Sequence, residues 1–154
     1  MPKHLKNEKL SPKAFMSLQR TRDLLFRCED QLVAEFGITA EQYSVLTAME
    51  DLDEPVRATD IARRLGHKVN SVSMLVDRMV KAGLITRERD LTDRRAVRLS
   101  MTSKGKQALE QATPAVSKLI EDLLSPLSHE DKDTLIGLME MLRGQALQHL
   151  TSRN

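Results

Sequence analysis

Four residues in the middle of the chain, spaced as Ala-x3-Gly-x5-Val-x2-Leu, constrain its fold more than any other feature. They are Ala62, Gly66, Val72 and Leu75. Two short helices that cross at a tight turn need a small residue at the crossing and a residue that tolerates positive φ in the turn. They also need apolar residues that lock the second helix onto the first, here against Ile61 and Leu65. The pattern predicts a helix-turn-helix, although any helical hairpin can place Ala and Gly in this way.

The chain is short and poor in aromatic residues. Its 154 residues suffice for one domain, or for two small lobes that share a core. Aromatic residues make up 3% and Trp is absent. The core must therefore consist of Leu, Ile, Val, Met and Ala, which suits packed helices better than a β-sandwich. We expect a mainly α fold.

Two helices are predicted before the helix-turn-helix. Ser11 and Pro12 are typical of a helix start, and Gly37 is typical of a helix end. Thr39 with Gln42 has the spacing of a capping box, in which each residue's side chain accepts a hydrogen bond from the other's backbone, and this pair opens the second helix.

Two more helices and a hairpin follow. A short helix over 59–65, the turn at Gly66 and a longer helix over 69–82 make up the helix-turn-helix. Strands are predicted over 84–89 and 96–101, where apolar and polar residues alternate, and the six residues between them are polar and charged as in a hairpin loop. The predicted order is helix, helix, helix, helix, hairpin, helix, helix.

The last two helices are rich in apolar residues. Thr102 and Gly105 open a long helix that Pro114 kinks without ending, and Ser128 with Asp131 forms a capping box for the last helix. We expect a subunit interface here, because a monomer of this size cannot easily cover so many apolar side chains; an intramolecular core is the alternative. The residues concerned are Leu119, Ile120, Leu123, Leu124, Leu127, Leu135, Ile136, Leu138, Met139, Leu142, Leu147 and Leu150.

Positive charge is concentrated in residues 56–104. This segment carries twelve Lys and Arg against five Asp and Glu, whereas the rest of the chain carries twelve against seventeen. A phosphate backbone attracts a local basic surface whatever the total charge of its carrier. The asymmetry favours a nucleic-acid partner, although many basic stretches are only solvated surface.

The predicted hairpin strengthens that interpretation. A hairpin beside a recognition helix, called a wing, places its tip at the minor groove, where Arg is favoured by the negative potential. The tip here is Asp93-Arg94-Arg95, and Arg87 and Arg89 lie on the strand before it. Helix, wing and charge fall on one stretch, which predicts a winged helix-turn-helix.

Four groups of residues then follow one another in a specific order. They are Ile38-Thr39-x3-Tyr43-x-Val45-Leu46; Ile61-Ala62-x2-Leu65-Gly66; Val72-Ser73-x-Leu75-Val76-Asp77-Arg78-Met79-Val80-x-Ala82-Gly83-Leu84-Ile85; and Asp93-Arg94-Arg95-x3-Leu99-x-Met101-Thr102-x2-Gly105. With these groups, nearly the whole chain resembles the multiple-antibiotic-resistance regulator (MarR) family of bacterial winged-helix transcription factors.

The resemblance implies a sequence-specific regulator that binds double-stranded DNA as a homodimer. The first, fifth and sixth helices would interlock between subunits, and two winged lobes would bind a pseudo-palindromic operator. The implied domains are a tail and first dimerisation helix over 1–38, a DNA-binding lobe over 39–102 and dimerisation helices over 103–154. The expected protein is a repressor released by a small-molecule effector, aromatic or phenolic, bound in the crevice between the winged lobe and the dimer helices. An effector-independent architectural DNA-binding protein and a winged helix that binds other proteins remain alternatives.

The recognition helix should contact bases with its N-terminal half. Asn70 is the strongest candidate because its amide can pair with adenine, whereas Met74 can offer only apolar contact, or can simply fill a gap at the helix surface. Asp77 is interpreted as half of an ion pair within the lobe. The full set of candidates on and before this helix is Lys68, Val69, Asn70, Ser71, Ser73, Met74 and Arg78.

The candidates on the wing are Arg87, Arg89, Arg94 and Arg95. Arg95 should enter the minor groove, while Asp93 should brace the loop by pairing with an Arg. Arg57 and Lys68 stand where the family usually has hydroxyl N-caps. Either the two helices start elsewhere, or these positions give up a cap for a phosphate contact.

No catalytic, metal or cofactor site is expected, since no nucleophile, phosphate-loop or ligand spacing occurs. The lone Cys28 lies late in the first helix and is interpreted as a buried structural thiol; a peroxide-sensing thiol is the alternative. No apolar run is long enough for a membrane span, and the start has no apolar signal core. We expect a soluble, cytoplasmic protein that does not bind membranes.

Overall fold

A computed structural model describes residues 10–93 and 95–153 and contains, over these residues, the predicted order of elements. The helices and strands are α1 (Leu10–Val33), α2 (Ala40–Asp51), α3 (Ala58–Leu65), α4 (Val69–Lys81), β1 (Ile85–Arg89), β2 (Val97–Met101), α5 (Ser103–Leu124) and α6 (His129–Thr151). A short 3-10 helix, Ala34–Phe36, follows α1. The mainly α, winged helix-turn-helix fold is confirmed.

Local capping signals account for several helix ends. The hydroxyl of Thr39 accepts the Gln42 N–H at 3.2 Å, and the Gln42 side chain accepts the Thr39 N–H at 3.0 Å. Ser128 and Asp131 form the same reciprocal pair at 3.1 and 2.9 Å. Gly37, with φ of 76°, ends the 3-10 helix in the left-handed conformation that glycine adopts without strain. Both predicted capping boxes are confirmed.

The predicted start of the first helix is wrong in detail. Ser11 lies inside α1, one residue after Leu10, so it is not the N-cap. Pro12, two residues after Leu10, lies inside α1 as well. Most of the predicted loose tail, residues 1–9, lies outside the described residues, and Leu10 is helical.

The helix-turn-helix forms as the spacing predicts. Gly66 has a φ of 67°, and the next N–H, that of His67, donates to the carbonyl oxygen of Ala62 at 2.9 Å, closing α3. The side chains that lock the two helices together are buried in one core. They are Ile61, Ala62, Val72, Leu75, Val76 and Met79.

The hairpin is a two-stranded antiparallel sheet in which Ile85 pairs with Met101 and Arg89 with Val97. The segment before α3 joins it, because the N–H of Leu99 donates to the carbonyl oxygen of Val56 at 2.8 Å. Leu99 is 2% exposed, so this edge is part of the core.

The chain divides into two compact units, one up to residue 116 and one from residue 117 onwards. The first holds the buried core, built from α2, α3, α4, the hairpin and the start of α5. The second contains the end of α5 and all of α6, in which none of the residues is buried. Helix α5 continues through Pro114, as predicted. None of the described helices is long and apolar enough to cross a membrane.

Candidate nucleic-acid interface

Helix α4 has one buried face and one bare face. Val72, Leu75 and Val76 lie in the core, whereas Asn70 and Ser71 are exposed and Ser73 is half-buried. Val69 is 43% exposed and Met74 is 67% exposed. The N-terminal half of the helix therefore presents the predicted base-contacting side chains to solvent. Met74 is too exposed to fill a gap in the surface, and its apolar contact with DNA stays a prediction.

Arg57 and Lys68 are the N-caps of α3 and α4. Helix α4 starts at Val69 as predicted, whereas α3 starts at Ala58, one residue before the predicted start. Neither N-cap side chain makes a capping hydrogen bond. At α3 the carboxylate of Asp60 compensates by accepting the Arg57 N–H at 3.1 Å. The first turn of α4 holds no acidic residue, which leaves the positive end of its dipole beside a lysine. Such an end favours an anion such as phosphate.

An ion pair joins the recognition helix to the wing. Asp77 of α4 accepts a hydrogen bond from the guanidinium of Arg87 on β1, and both side chains are about half exposed. The ion pair expected of Asp77 is thus present, and it engages one of the arginines predicted to bind DNA. Arg78, at the next position, lies 3.7 Å from Glu41 of α2.

At the wing tip, Asp93 and Arg95 are exposed, and Asp93 braces the backbone that follows it. The Asp93 carboxylate accepts the N–H of Arg95 at 3.0 Å, and its carbonyl accepts the N–H of Ala96 at 2.9 Å. Asp93 was expected to pair with an Arg side chain. The contact that the structure describes is instead with the backbone N–H of Arg95. Arg89 and Arg95 are exposed, while Arg94 lies outside the described residues.

Sequence analysis missed the residue that anchors the wing. Asp90 is 8% exposed, the lowest value for a charged side chain among the described residues. Its carboxylate accepts the N–H and hydroxyl of Thr92 at 2.9 and 2.8 Å and the guanidinium of Arg57 at 3.0 Å. The bonds from Thr92, and then that from Arg57, hold the pKa of this carboxyl far below its usual range. The Asp-x-Thr spacing is a local signal that could have identified the Thr92 contact.

A cavity of about 300 Å³ lies between α1, α2 and α3. Its lining includes Glu29, Tyr43, Ser44, Thr47, Asp51 and Arg64. Arg64 is tied to Asp51 at 2.7 Å. Burial, and then the nearby charge of Asp30, raise the pKa of Glu29. Cys28, the residue before Glu29, is half-buried in the single chain, so its interpretation as a buried structural thiol stays a prediction.

No three His, Cys, Asp or Glu side chains in residues 10–93 and 95–153 are arranged to hold a metal ion.

Comparisons with known proteins agree with this geometry. The sequence profile of the MarR family matches residues 36–96. The regulator PrsX of Escherichia coli, an HTH-type transcriptional regulator, is 25% identical over 121 residues, which are 78% of this chain and 70% of that protein. The family and this relative are transcriptional regulators rather than enzymes.

Two solved structures share the fold. An organohalide-sensing regulator bound to 2,4-dichlorophenol superposes with a TM-score of 0.85 at 22% identity, covering 96% of this chain and 87% of that one. The Mycobacterium tuberculosis regulator MosR, in complex with DNA, has a TM-score of 0.76 at 22% identity and coverages of 88% and 96%.

Proposed function

We propose that this chain is a member of the MarR family and a sequence-specific transcriptional regulator that binds double-stranded DNA as a homodimeric repressor. The observation that carries this proposal is the bare N-terminal half of α4 beside an arginine-bearing hairpin. A helix with this exposure fits the major groove while a wing reaches the adjacent minor groove. Because its target is bacterial DNA, we expect the protein in the cytoplasm.

The proposed DNA contacts divide by element. On α4 and at its N-cap, Lys68 and Arg78 would contact phosphate, and Asn70 would pair with a base. The helix contacts are completed by Val69, Ser71, Ser73 and Met74, and the wing contacts by Arg87, Arg89, Arg94 and Arg95. Asp93 would hold the tip rather than touch DNA, since phosphate repels a carboxylate.

The proposed dimer interface uses the N- and C-terminal helices. Along α1, Phe15 is 60% exposed and Leu24 is 58% exposed; along α6, Ile136 is 56% exposed and Leu142 is 51% exposed. A stable monomer rarely exposes apolar rows of this length. A second copy of the chain would cover them, with residues 1–38 and 103–154 forming the dimer scaffold and 39–102 the DNA-binding lobe.

The cavity beside Glu29 is the proposed effector site. Its volume falls at the lower end of the range of small-molecule sites, and Arg64 connects it to the first helix of the helix-turn-helix. An effector held there would shift the population of lobe spacings away from the roughly 34 Å between successive major grooves. A small phenol, such as the 2,4-dichlorophenol bound by the organohalide-sensing regulator, is the first compound to test.

Selection from a random pool of 30-base-pair duplexes tests the function directly. We expect the protein to enrich a pseudo-palindromic sequence and to bind it more tightly than random DNA. Arg95→Ala should weaken that binding by about 1–3 kcal/mol without changing the dimer, measured by fluorescence anisotropy and sedimentation. Uniform binding to all sequences would instead favour an architectural protein, and no binding at low salt would overturn both.

A further inference from the structure

We propose that Asp90 is a positioning residue for DNA binding: it fixes the base of the wing loop, residues 90–96, to the N-terminal end of α3. The inference rests on the proposed function. It assigns to Asp90 an indirect role, in which the side chain touches neither base nor phosphate. A carboxylate that faced phosphate would be repelled, whereas that of Asp90 is buried and hydrogen-bonded within the chain.

Asp90 closes the wing loop with its backbone and its side chain together. Its N–H donates to the carbonyl oxygen of Ala96 at 3.0 Å, which joins the two ends of the loop. One carboxylate oxygen accepts both hydrogen bonds from Thr92, and these bonds orient the part of the loop that follows β1. The other oxygen takes the Arg57 guanidinium. A single buried carboxylate thus ties the start of the loop both to Thr92 and to Arg57.

Arg57 connects Asp90 to the N-terminal end of α3. It is the N-cap of α3, and its own N–H is held by Asp60 at 3.1 Å. The preceding residue, Val56, accepts a backbone hydrogen bond from Leu99 of β2 at 2.8 Å. The segment before α3 is therefore attached to the hairpin at two points, one on a strand and one on the loop. Since α3 shares its core with α4, the wing loop and the recognition helix are linked through Asp90.

Fixing the loop in advance matters because ordering it on DNA would cost binding free energy. Arg57 is the competing candidate. The sequence suggested a phosphate contact for it, and 40% of its side chain remains exposed. One terminal nitrogen of the guanidinium is already bonded to Asp90, so we assign Arg57 to the anchor and make the phosphate contact an outcome of the test.

The test uses Asp90→Asn in the full-length protein with the duplex selected by the wild type. The amide can still accept from Thr92 but cannot form the ion pair with Arg57. We expect operator affinity to fall by about tenfold or more, as loss of a charge-assisted hydrogen bond implies. The matched control is Glu88→Gln, which removes the carboxylate charge from the Glu88–Arg98 pair, 3.2 Å long, in the same hairpin. We expect a change of less than about threefold there.

A double-mutant cycle with Arg95→Ala separates positioning from general damage. If Asp90 acts by placing the wing, Asp90→Asn should cost little once Arg95 is gone, whereas independent effects would add. Equal losses in both backgrounds would overturn the role of Asp90. A wild type that enriches no duplex would overturn the proposed function as well.

Thr92→Val gives a second route if Asp90→Asn folds poorly, because Thr92 is exposed and the change removes only its hydroxyl. We expect a smaller loss of affinity that also vanishes in the Arg95→Ala background.

Arg57→Gln tests whether Arg57 contacts phosphate. A loss that persists without Arg95, together with a salt slope lower by about one charge, would assign Arg57 to phosphate and overturn the anchor.

Discussion

The carbonyl oxygen of Leu84 lies against the backbone of Gly105, in the space that a side chain at position 105 would need. That oxygen cannot move away freely, because it accepts the N–H of Thr102 at 3.1 Å. The start of α5 is thus packed onto the start of β1 through bare backbone. Glycine at 105 is required by this approach and not by an unusual φ.

Gly105→Ala should therefore destabilise the fold. The added methyl would force α5 or β1 to shift, and overpacking of this kind costs about 1–3 kcal/mol. The measurement is the free energy of unfolding from urea titration at fixed protein concentration. Gly144→Ala in α6 is the control: nothing lies within 4 Å of its added methyl, so helix propensity should make it neutral or slightly stabilising. Equal effects of the two changes would contradict the packing argument.

Asn70→Ala should reduce discrimination at a single base pair of each half-site. The exposed amide can make two hydrogen bonds to adenine, and such a pair contributes about 1–3 kcal/mol of discrimination. Affinities for a series of operators, each with one base pair replaced, measure this directly. The other positions of the series serve as the control, because their energies should be the same for wild type and variant. A uniform loss across all positions would show that Asn70 contacts backbone or supports the helix.

Asp77→Asn should tighten DNA binding at low salt. The substitution removes a negative charge from the proposed interface and releases the Arg87 guanidinium to contact phosphate, which raises the salt slope by about one charge. Stability should fall by no more than about 1 kcal/mol, because both partners of the ion pair are about half exposed. The double variant Asp77→Asn/Arg87→Gln should lose the gain. Weaker binding by Asp77→Asn alone would show instead that the pair holds α4 in place.

A contact could be predicted from the sequence when the two residues that make it are close together along the chain. The boxes at Thr39 and Ser128 involve residues three apart, so their chemistry is visible in the order of residues. Ser11 failed as a cap because a proline after a serine does not by itself fix the first residue of a helix. Element order, the helix-turn-helix and the wing followed from periodicity and from the MarR resemblance.

Contacts between residues distant in sequence could not be predicted in the same way. Asp90 and Arg57 are separated by 33 positions, and nothing in either neighbourhood indicates the other. The approach of Leu84 to Gly105 likewise depends on how the hairpin packs. The sequence marked Arg87 as a cation near DNA, but only the fold shows Asp77 beside it.

Glu29→Gln should stabilise the protein at neutral pH. Burial, and then the charge of Asp30, raise the pKa of Glu29 in the folded state, so the folded chain holds this proton more tightly than the unfolded chain, whose Glu pKa is about 4.3. Stability is therefore lost as pH rises from the unfolded to the folded pKa. Thermal unfolding between pH 4 and 8, at fixed protein concentration, should show a higher Tm for the variant at pH 7 and no gain near pH 4. The exposed Glu50→Gln should show no such trend, and a lower Tm for Glu29→Gln at pH 7 would mean that the ionised carboxylate makes a favourable contact.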